Sequence, residues 1–215
     1  MKKKTFLAAV AIALVAILSL GTLAYFTDVT DEAENMFVVK GTNPDEIFSA
    51  TLTEPAWDAY QDKEDGKAVI KPGVTIDKDP TITLTGDSYN YGAWIAMKVI
   101  VSGVPYDPYD VSSIKTLFKD LTDDGLNVTM MPRTEEEVAA GTQSFLFTWR
   151  PTTPLALNES ATIFTGVVFP ADMDATELAA FKDFKITAKG YAVSAEELTY
   201  DESATPLNEL ITANP

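Results

Sequence analysis

The chain contains neither cysteine nor histidine. Without cysteine no disulfide can form, so the stability of the fold must come from packing. Without histidine, the Ser-His-Asp and Cys-His mechanisms lack their general base. A zinc site is also not expected, because nearly all zinc sites in proteins include a histidine or cysteine ligand. These two absences exclude most hydrolytic chemistry, and they predict a protein that is not an enzyme and that needs no cofactor.

Positive charge is also scarce, with 16 Lys and Arg against 32 Asp and Glu and a net charge of −16. A surface of this sign repels phosphate backbones, so nucleic acid is not expected as a partner. The length of 215 residues is enough for one well-packed domain and short for two.

The first residues have the pattern of an export signal. Three lysines at positions 2–4 precede an almost unbroken apolar run from Phe6 to Leu20, and small residues follow at Thr22 and Ala24. This pattern predicts a signal peptide over residues 1–24 that is cleaved between Ala24 and Tyr25. The mature protein would then be secreted, into an extracellular matrix or onto the cell surface.

The same apolar run could instead be a retained transmembrane helix, because the stretch from Phe6 to Phe26 is long enough to span a bilayer. No basic cluster follows the run, as a stop-transfer sequence would require, and this favours cleavage.

After Ala24 the apolar residues mostly alternate with polar ones, which indicates strands with one buried face. The segment from 92 to 103 has the strongest pattern, and only Lys98 interrupts its second face. The predicted strands are 48–53, 74–76, 81–85, 92–103, 126–131, 144–150, 162–169 and 184–195. Many short strands without a βαβ rhythm predict an all-β fold, an antiparallel jelly-roll-like β-sandwich.

Two segments have helical spacing instead. Apolar residues at i, i+3, i+4 and i+7 predict a short helix over 112–121, and a second helix is expected over 174–184, where Asp174 and Glu177 have the spacing of a capping box. The fold class therefore includes one or two short helices in connections. The expected organisation is an N-terminal segment at 25–40, the sandwich domain at 41–195 and an acidic C-terminal tail at 196–215.

Several motifs resemble those of the TasA/camelysin family. They are "GTLAYFTD" and "ENMFVVKGT" near the N-terminus, the block "EPAWDAYQDKEDGKAVIKPGVTIDKDPTITLTGD" with "AWIAMKV" after it, and "KGYAVSAEEL" near the end. The segment 104–160 carries no matching motif. The resemblance implies an exported Gram-positive protein, processed by a SipW-type signal peptidase, with a jelly-roll fold. Several members of that family polymerise into biofilm matrix fibres.

In the fibre-forming members, the mature N-terminal segment of one subunit adds a strand to the next. The matching candidates for this donor-strand complementation are Phe26, Met36, Phe37, Val38 and Val39. An extended segment with such apolar anchors suits addition to an open sheet edge. The expected partners are other copies of the chain, the signal peptidase and accessory matrix proteins. The alternative is that residues 25–39 form the first strand of their own subunit.

Two other function classes compete with a fibre subunit. A camelysin-type secreted metalloendopeptidase is disfavoured, because no histidine is present for a zinc site. A monomeric cell-surface module could present Trp57, Trp94 and Trp149 to a glycan, although core packing is the more general role of tryptophan. Lys98 could point to solvent, pair with a buried acid or form an isopeptide cross-link.

Acidic residues could also hold calcium, which takes oxygen ligands. The candidates are Asp77 with Asp79, and Asp123 with Asp124 and Asn127. Neither set has the spacing of a calcium loop, and turn formation explains both more simply. Paired carboxylates for glycoside hydrolysis are not singled out anywhere among the 32 acids.

Overall fold

The fold is known from a computed structural model, which describes residues 24–26, 36–40, 47–64, 67–86, 92–196 and 198–213. In chain order, the strands are β1 (Ala24–Phe26), β2 (Met36–Lys40), β3 (Ile47–Thr53), β4 (Lys63–Glu64), β5 (Lys67–Ile70), β6 (Thr75–Asp77), β7 (Thr81–Gly86), β8 (Ala93–Pro105), β9 (Phe118–Lys119), β10 (Leu126–Met130), β11 (Thr142–Trp149), β12 (Ser160–Thr162), β13 (Gly166–Val168) and β14 (Lys185–Ser194). The helices are α1 (Pro55–Ala59), α2 (Glu135–Ala140), α3 (Ala175–Ala180) and α4 (Tyr200–Ala213), with a 3-10 helix at Ile114–Leu117.

The strands form an all-β antiparallel sandwich, which confirms the predicted fold class. One four-stranded sheet has the order β10-β11-β8-β14, and the second has the order β12-β7-β3-β2. Two three-stranded sheets, β1-β5-β4 and β6-β13-β9, complete the described part of the chain.

The longest strand, β8, shows why the sequence folds in this way. Ile95, Met97 and Val99 lie in the main core between the sheets, where they are buried from water. Trp94 and Ala96 point to the opposite face and pack in a second apolar cluster. Both faces of β8 are therefore partly covered, as its near-continuous apolar pattern predicts.

Helix α4 supplies the cover for the outer face. Its residue Leu207 is buried against Trp94, Tyr191 and Val193, and the Trp94 Nε1 donates a hydrogen bond to the Leu198 carbonyl oxygen at 2.8 Å. The predicted acidic tail thus forms a helix that packs on the sandwich. Among the described residues, no helix has both the length and the apolar character needed to cross a membrane.

Two of the smaller predictions were wrong in detail. The predicted helix over 112–121 is only a 3-10 turn, because Phe118 leaves it to pair in β9 and to pack between Phe147 and Phe164, at ring distances of 5.0 and 4.7 Å. The predicted strand 162–169 is divided between β12 and β13, which belong to different sheets. The capping box of α3 is confirmed, since Asp174 Oδ1 accepts from Glu177 N and Glu177 Oε2 accepts from Asp174 N.

Candidate functional site

The residues predicted to flank the cleavage site belong to a short strand. Ala24, Tyr25 and Phe26 form β1, which pairs antiparallel with β5, so that Ala24 lies opposite Ile70 and Phe26 lies opposite Ala68. In the order β1-β5-β4 this strand is outermost, and it has one strand neighbour. β1 also contacts helix α3. The predicted signal peptide before Ala24 lies outside the described residues.

The other candidate donor residues form a second outermost strand. Met36, Phe37, Val38 and Val39 lie in β2, which pairs antiparallel with β3. In the order β12-β7-β3-β2, β2 has one strand neighbour in its sheet, and it contacts β14 of the opposite sheet. β2 is therefore the edge strand of one large sheet, and it lies next to β14, which is the edge strand of the other large sheet.

The predicted donor residues are thus divided between two sheets. Phe26 belongs to the sheet of β1, whereas Met36 to Val39 belong to the sheet of β2, and the residues 27–35 between them lie outside the described part. In the structure of the single chain, β1 pairs with β5 and β2 pairs with β3, so both segments complete sheets of their own subunit. Each segment is the last strand of its sheet, and among the described residues no second strand pairs on its outer side.

The strands that receive β1 and β2 are fixed by other contacts. In β5, Ala68, Val69 and Ile70 are almost completely buried, and β5 is also paired with β4. β3 pairs with β7 along six residues, from Phe48 opposite Gly86 to Thr53 opposite Thr81. If β1 and β2 were absent, β5 would therefore still pair with β4, and β3 would still pair with β7. Sequence reasoning missed β5, because four residues after a charged loop give too short a pattern.

A buried ion pair connects the end of one receiving strand, β3, to the end of β6. Glu54 follows β3 and Lys78 follows β6, and the Lys78 Nζ lies 2.7 Å from the Glu54 Oε2. The Trp57 ring of α1 lies 5.0 Å from that ammonium group, and Lys63 of β4 lies 4.1 Å from the same ring. The Glu-Pro-Ala-Trp segment at 54–57 and the Lys-Asp-Pro segment at 78–80 therefore meet in space, a contact that no local pattern in the sequence indicates.

Two of the residues considered for calcium, Asp79 and Asp124, accept hydrogen bonds from the chain itself. Asp79 Oδ1 accepts from the Ala56 N–H at 2.8 Å, and burial raises the pKa of this carboxyl above its ordinary value despite that bond. Asp124 accepts from the Thr152 N–H and hydroxyl at 3.0 and 2.9 Å. Across the ranges that the structure describes, no group of three or more acidic side chains could hold a metal ion.

The aromatic and lysine candidates lie elsewhere. Trp57, Trp94 and Trp149 are buried, so none of them offers the exposed face that a glycan platform requires. Lys98 is half-buried, and its register partners on the neighbouring strands are Thr148 and Lys189. Neither partner supplies the carboxyl or amide group that an isopeptide cross-link needs.

Comparison of the chain with protein families, with curated proteins and with solved structures finds no match. The resemblance to the TasA/camelysin family therefore depends on sequence motifs alone.

Proposed function

We propose that the protein is a secreted structural subunit of extracellular biofilm-matrix fibres, and that it assembles by N-terminal strand donation. The supporting observation is the position of β1 and β2: in the part of the chain that the structure describes, each is the outermost strand of a different sheet and pairs with one other strand. A strand in this position can be supplied by the same chain or by another copy with the same hydrogen bonds and the same register.

Exchange of this kind requires that the rest of the sandwich keeps its shape when the strand leaves. β3 and β5 are suited to this role, because β7 holds β3 along its length and β4 holds β5. The buried pair of Glu54 and Lys78 adds a fixed contact at the end of β3. Removal of β2 would leave the open edge of β3 as the receiving site for the same segment of another subunit.

Donation from one subunit to the next, without return, makes an open chain of subunits rather than a closed dimer. Residues 25–215 keep all 32 acidic residues but lose three of the 16 basic ones, which leaves the mature subunit with a net charge of −19. This charge opposes close approach of copies, so assembly should become easier as salt screens the repulsion. The proposal also requires cleavage after Ala24, because only then is the segment from Tyr25 onward a free end.

Electron microscopy provides the first test. Purified residues 25–215 should form filaments under negative stain, whereas a chain that starts at Gly41 lacks both β1 and β2 and should remain monomeric. Mature protein that stays monomeric at every salt concentration would contradict the fibre proposal.

Cysteine cross-linking then tests the mode of assembly. The chain has no cysteine of its own, so every disulfide must come from the introduced residues. Val38 lies opposite Ser49 in the β2–β3 ladder. Paired positions are separated by about 4.5–5.5 Å between Cα atoms, which allows a disulfide. Filaments made from a mixture of Val38→Cys chains and Ser49→Cys chains should therefore yield cross-linked dimers on a non-reducing gel.

The matched control replaces Ser49→Cys with Thr85→Cys. Thr85 lies opposite Ser49 on β7, one strand further from β2, so it is out of reach of position 38. This second mixture should form filaments without cross-links. If the Val38 and Ser49 mixture also forms filaments without dimers, the copies assemble by another route than β2 donation.

A further inference from the structure

A cleft lies at the end of the molecule where β8 leaves its sheet. One wall runs from Pro105, the last residue of β8, to Tyr109, and the other runs from Pro170 through helix α3 to Phe181. Its volume is about 400 Å³, at the lower end of the range for ligand sites in proteins. The cleft shares none of the residues assigned to strand donation, so this inference does not depend on the proposed function.

Backbone hydrogen bonds fix both walls of the cleft. On one side, the Tyr106 N–H donates to the Gly141 carbonyl oxygen at 3.0 Å. On the other side, the Gly73 N–H donates to the carbonyl oxygens of Phe169 and Pro170, each at 3.1 Å. The capping box then sets the start of α3. The cleft is therefore formed before any ligand arrives.

Aromatic rings form its floor. The rings of Tyr109 and Phe181 meet edge to face, with their centroids 5.7 Å apart, and Phe181 is buried. Burial raises the pKa of the Tyr109 phenol, and the nearby charge of Glu177 raises it further. The phenol is therefore neutral at physiological pH, and its ring can face either an alkyl chain or a cation.

The cleft is rich in hydrogen-bond acceptors and poor in donors. Three of its lining residues are prolines, which have no N–H, and the carboxylates of Asp107, Asp172 and Glu177 only accept when ionised. Among the described residues that line the cleft, only the side-chain hydroxyls of Tyr109 and Thr176 can donate, and none is a lysine or an arginine. A ligand that matches this surface must bring its own donors and a positive charge.

We propose that this cleft binds the side chain of a lysine or arginine in an extended basic segment of a partner protein. Lysine and arginine combine an apolar stem with a cationic head that only donates hydrogen bonds. The stem would lie against the aromatic and proline rings, and the head would meet the carboxylates of Asp107 and Asp172. The net charge of −16 attracts a basic partner from a distance.

Titration of the full chain with an acetylated and amidated tetralysine peptide tests the proposal by calorimetry. The variant Asp107→Asn/Asp172→Asn should bind the peptide at least about tenfold more weakly, because two rim charges are lost. The matched control is Glu135→Gln/Glu136→Gln, which makes the same charge change on exposed positions of α2. This control should bind within about twofold of the parent chain, because its charges lie outside the cleft.

Three results would overturn the proposal. An equal loss of affinity in the two variants would mean that only the overall charge attracts the peptide. A tetrapeptide of acetyl-lysine that binds as tightly as tetralysine would show that the cleft selects the apolar stem and not the cation. If the parent chain self-associates and the Asp107→Asn/Asp172→Asn variant does not, the occupant is a second copy of this chain and not another protein.

Discussion

The ammonium group of Lys78 lies 2.7 Å from a carboxylate oxygen of Glu54, and both side chains are almost completely buried, with 1% and 3% of their surface exposed. The lysine also lies 5.0 Å above the ring of Trp57, the buried residue of helix α1. The pair joins residues 24 positions apart in the chain. It therefore connects the end of β3 with the turn that leads from β6 to β7.

Removal of either charge should destabilise the fold strongly. The change Lys78→Met leaves the Glu54 carboxylate in a buried position without its ammonium partner, and the loss of a partner in such a pair costs about 3–5 kcal/mol. We expect a decrease of this size in the free energy of unfolding, measured by urea denaturation with tryptophan fluorescence.

A surface ion pair gives the matched control. Lys71 and Asp62 are 3.0 Å apart but about half exposed, so Lys71→Met should change the free energy of unfolding by less than about 1 kcal/mol. The double variant Lys78→Met/Glu54→Leu should recover much of the loss, because no buried charge remains. Equal effects of Lys78→Met and Lys71→Met would show that water reaches the buried pair.

Two carboxyl groups should contribute to pH dependence with opposite signs. Burial raises the pKa of Asp79 above its ordinary value near 3.8, in spite of the N–H groups of α1 that donate to it. The folded state therefore holds this proton more tightly than the unfolded state, and the contribution of Asp79 to stability decreases as pH rises through that pKa. Asp79→Asn should make the protein more stable at pH 7, and the gain should disappear in acid.

Glu137 has the opposite behaviour. Burial alone would raise its pKa, but hydrogen bonds from Ser144 and Thr134 and the charge of Arg133 together lower it below the ordinary 4.5. Its stabilising contribution is complete above that ordinary value and is lost as pH falls through the lowered pKa.

The change Glu137→Gln should therefore destabilise the protein at pH 7, and the difference should close in acid. Glutamine keeps the acceptor of the capping box, so the helix cap is not lost with the charge. Urea midpoints of both variants, measured from about pH 3 to pH 7, check the two signs together. Shifts of Asp79→Asn and Glu137→Gln in the same direction would contradict this assignment.

The parts of the fold that sequence predicts are those with a local pattern. β8 has a near-continuous apolar run, apolar residues alternate with polar ones along the first half of β14, and Asp174 with Glu177 has the spacing of the capping box that starts α3. Local patterns were not enough where a distant contact decides the structure. The acidic segment of α4 contains Pro206, and it has a place to pack only because Trp94 and Tyr191 lie on the outer face of the sheet.

The same limit applies to the sites. Charged residues are usually exposed, so no local feature indicates that Glu54 and Lys78 are buried together. The cleft likewise combines segments around Tyr109 and Phe181 that are about seventy residues apart in the sequence. The strand patterns at Met36 to Val39 were visible in the sequence, whereas the outermost position of that strand depends on the order of the whole sheet.

Substitutions at two glycines allow the cost of an unfavourable backbone conformation to be distinguished from the cost of a steric clash. Gly103 and Gly141 have nearly equal positive φ angles, 68° and 70°. A Cβ at position 141 would meet nothing within 4 Å, whereas one at position 103 would lie 2.1 Å from the Asp183 carbonyl oxygen. Gly103 lies where the β8–β11 register shifts, from Val104 opposite Gln143 to Val101 opposite Phe145.

The change Gly141→Ala should therefore lower the free energy of unfolding by about 1–2 kcal/mol, since only the left-handed conformation is unfavourable to alanine. Gly103→Ala has the same unfavourable conformation and also a backbone clash, which adds about 1–3 kcal/mol or more. Thermal unfolding, followed by circular dichroism, should give Gly103→Ala a clearly lower melting temperature than Gly141→Ala. Equal melting temperatures would mean that β8 and the segment before β14 can move apart, and the shift in register would then be a flexible joint rather than a fixed bulge.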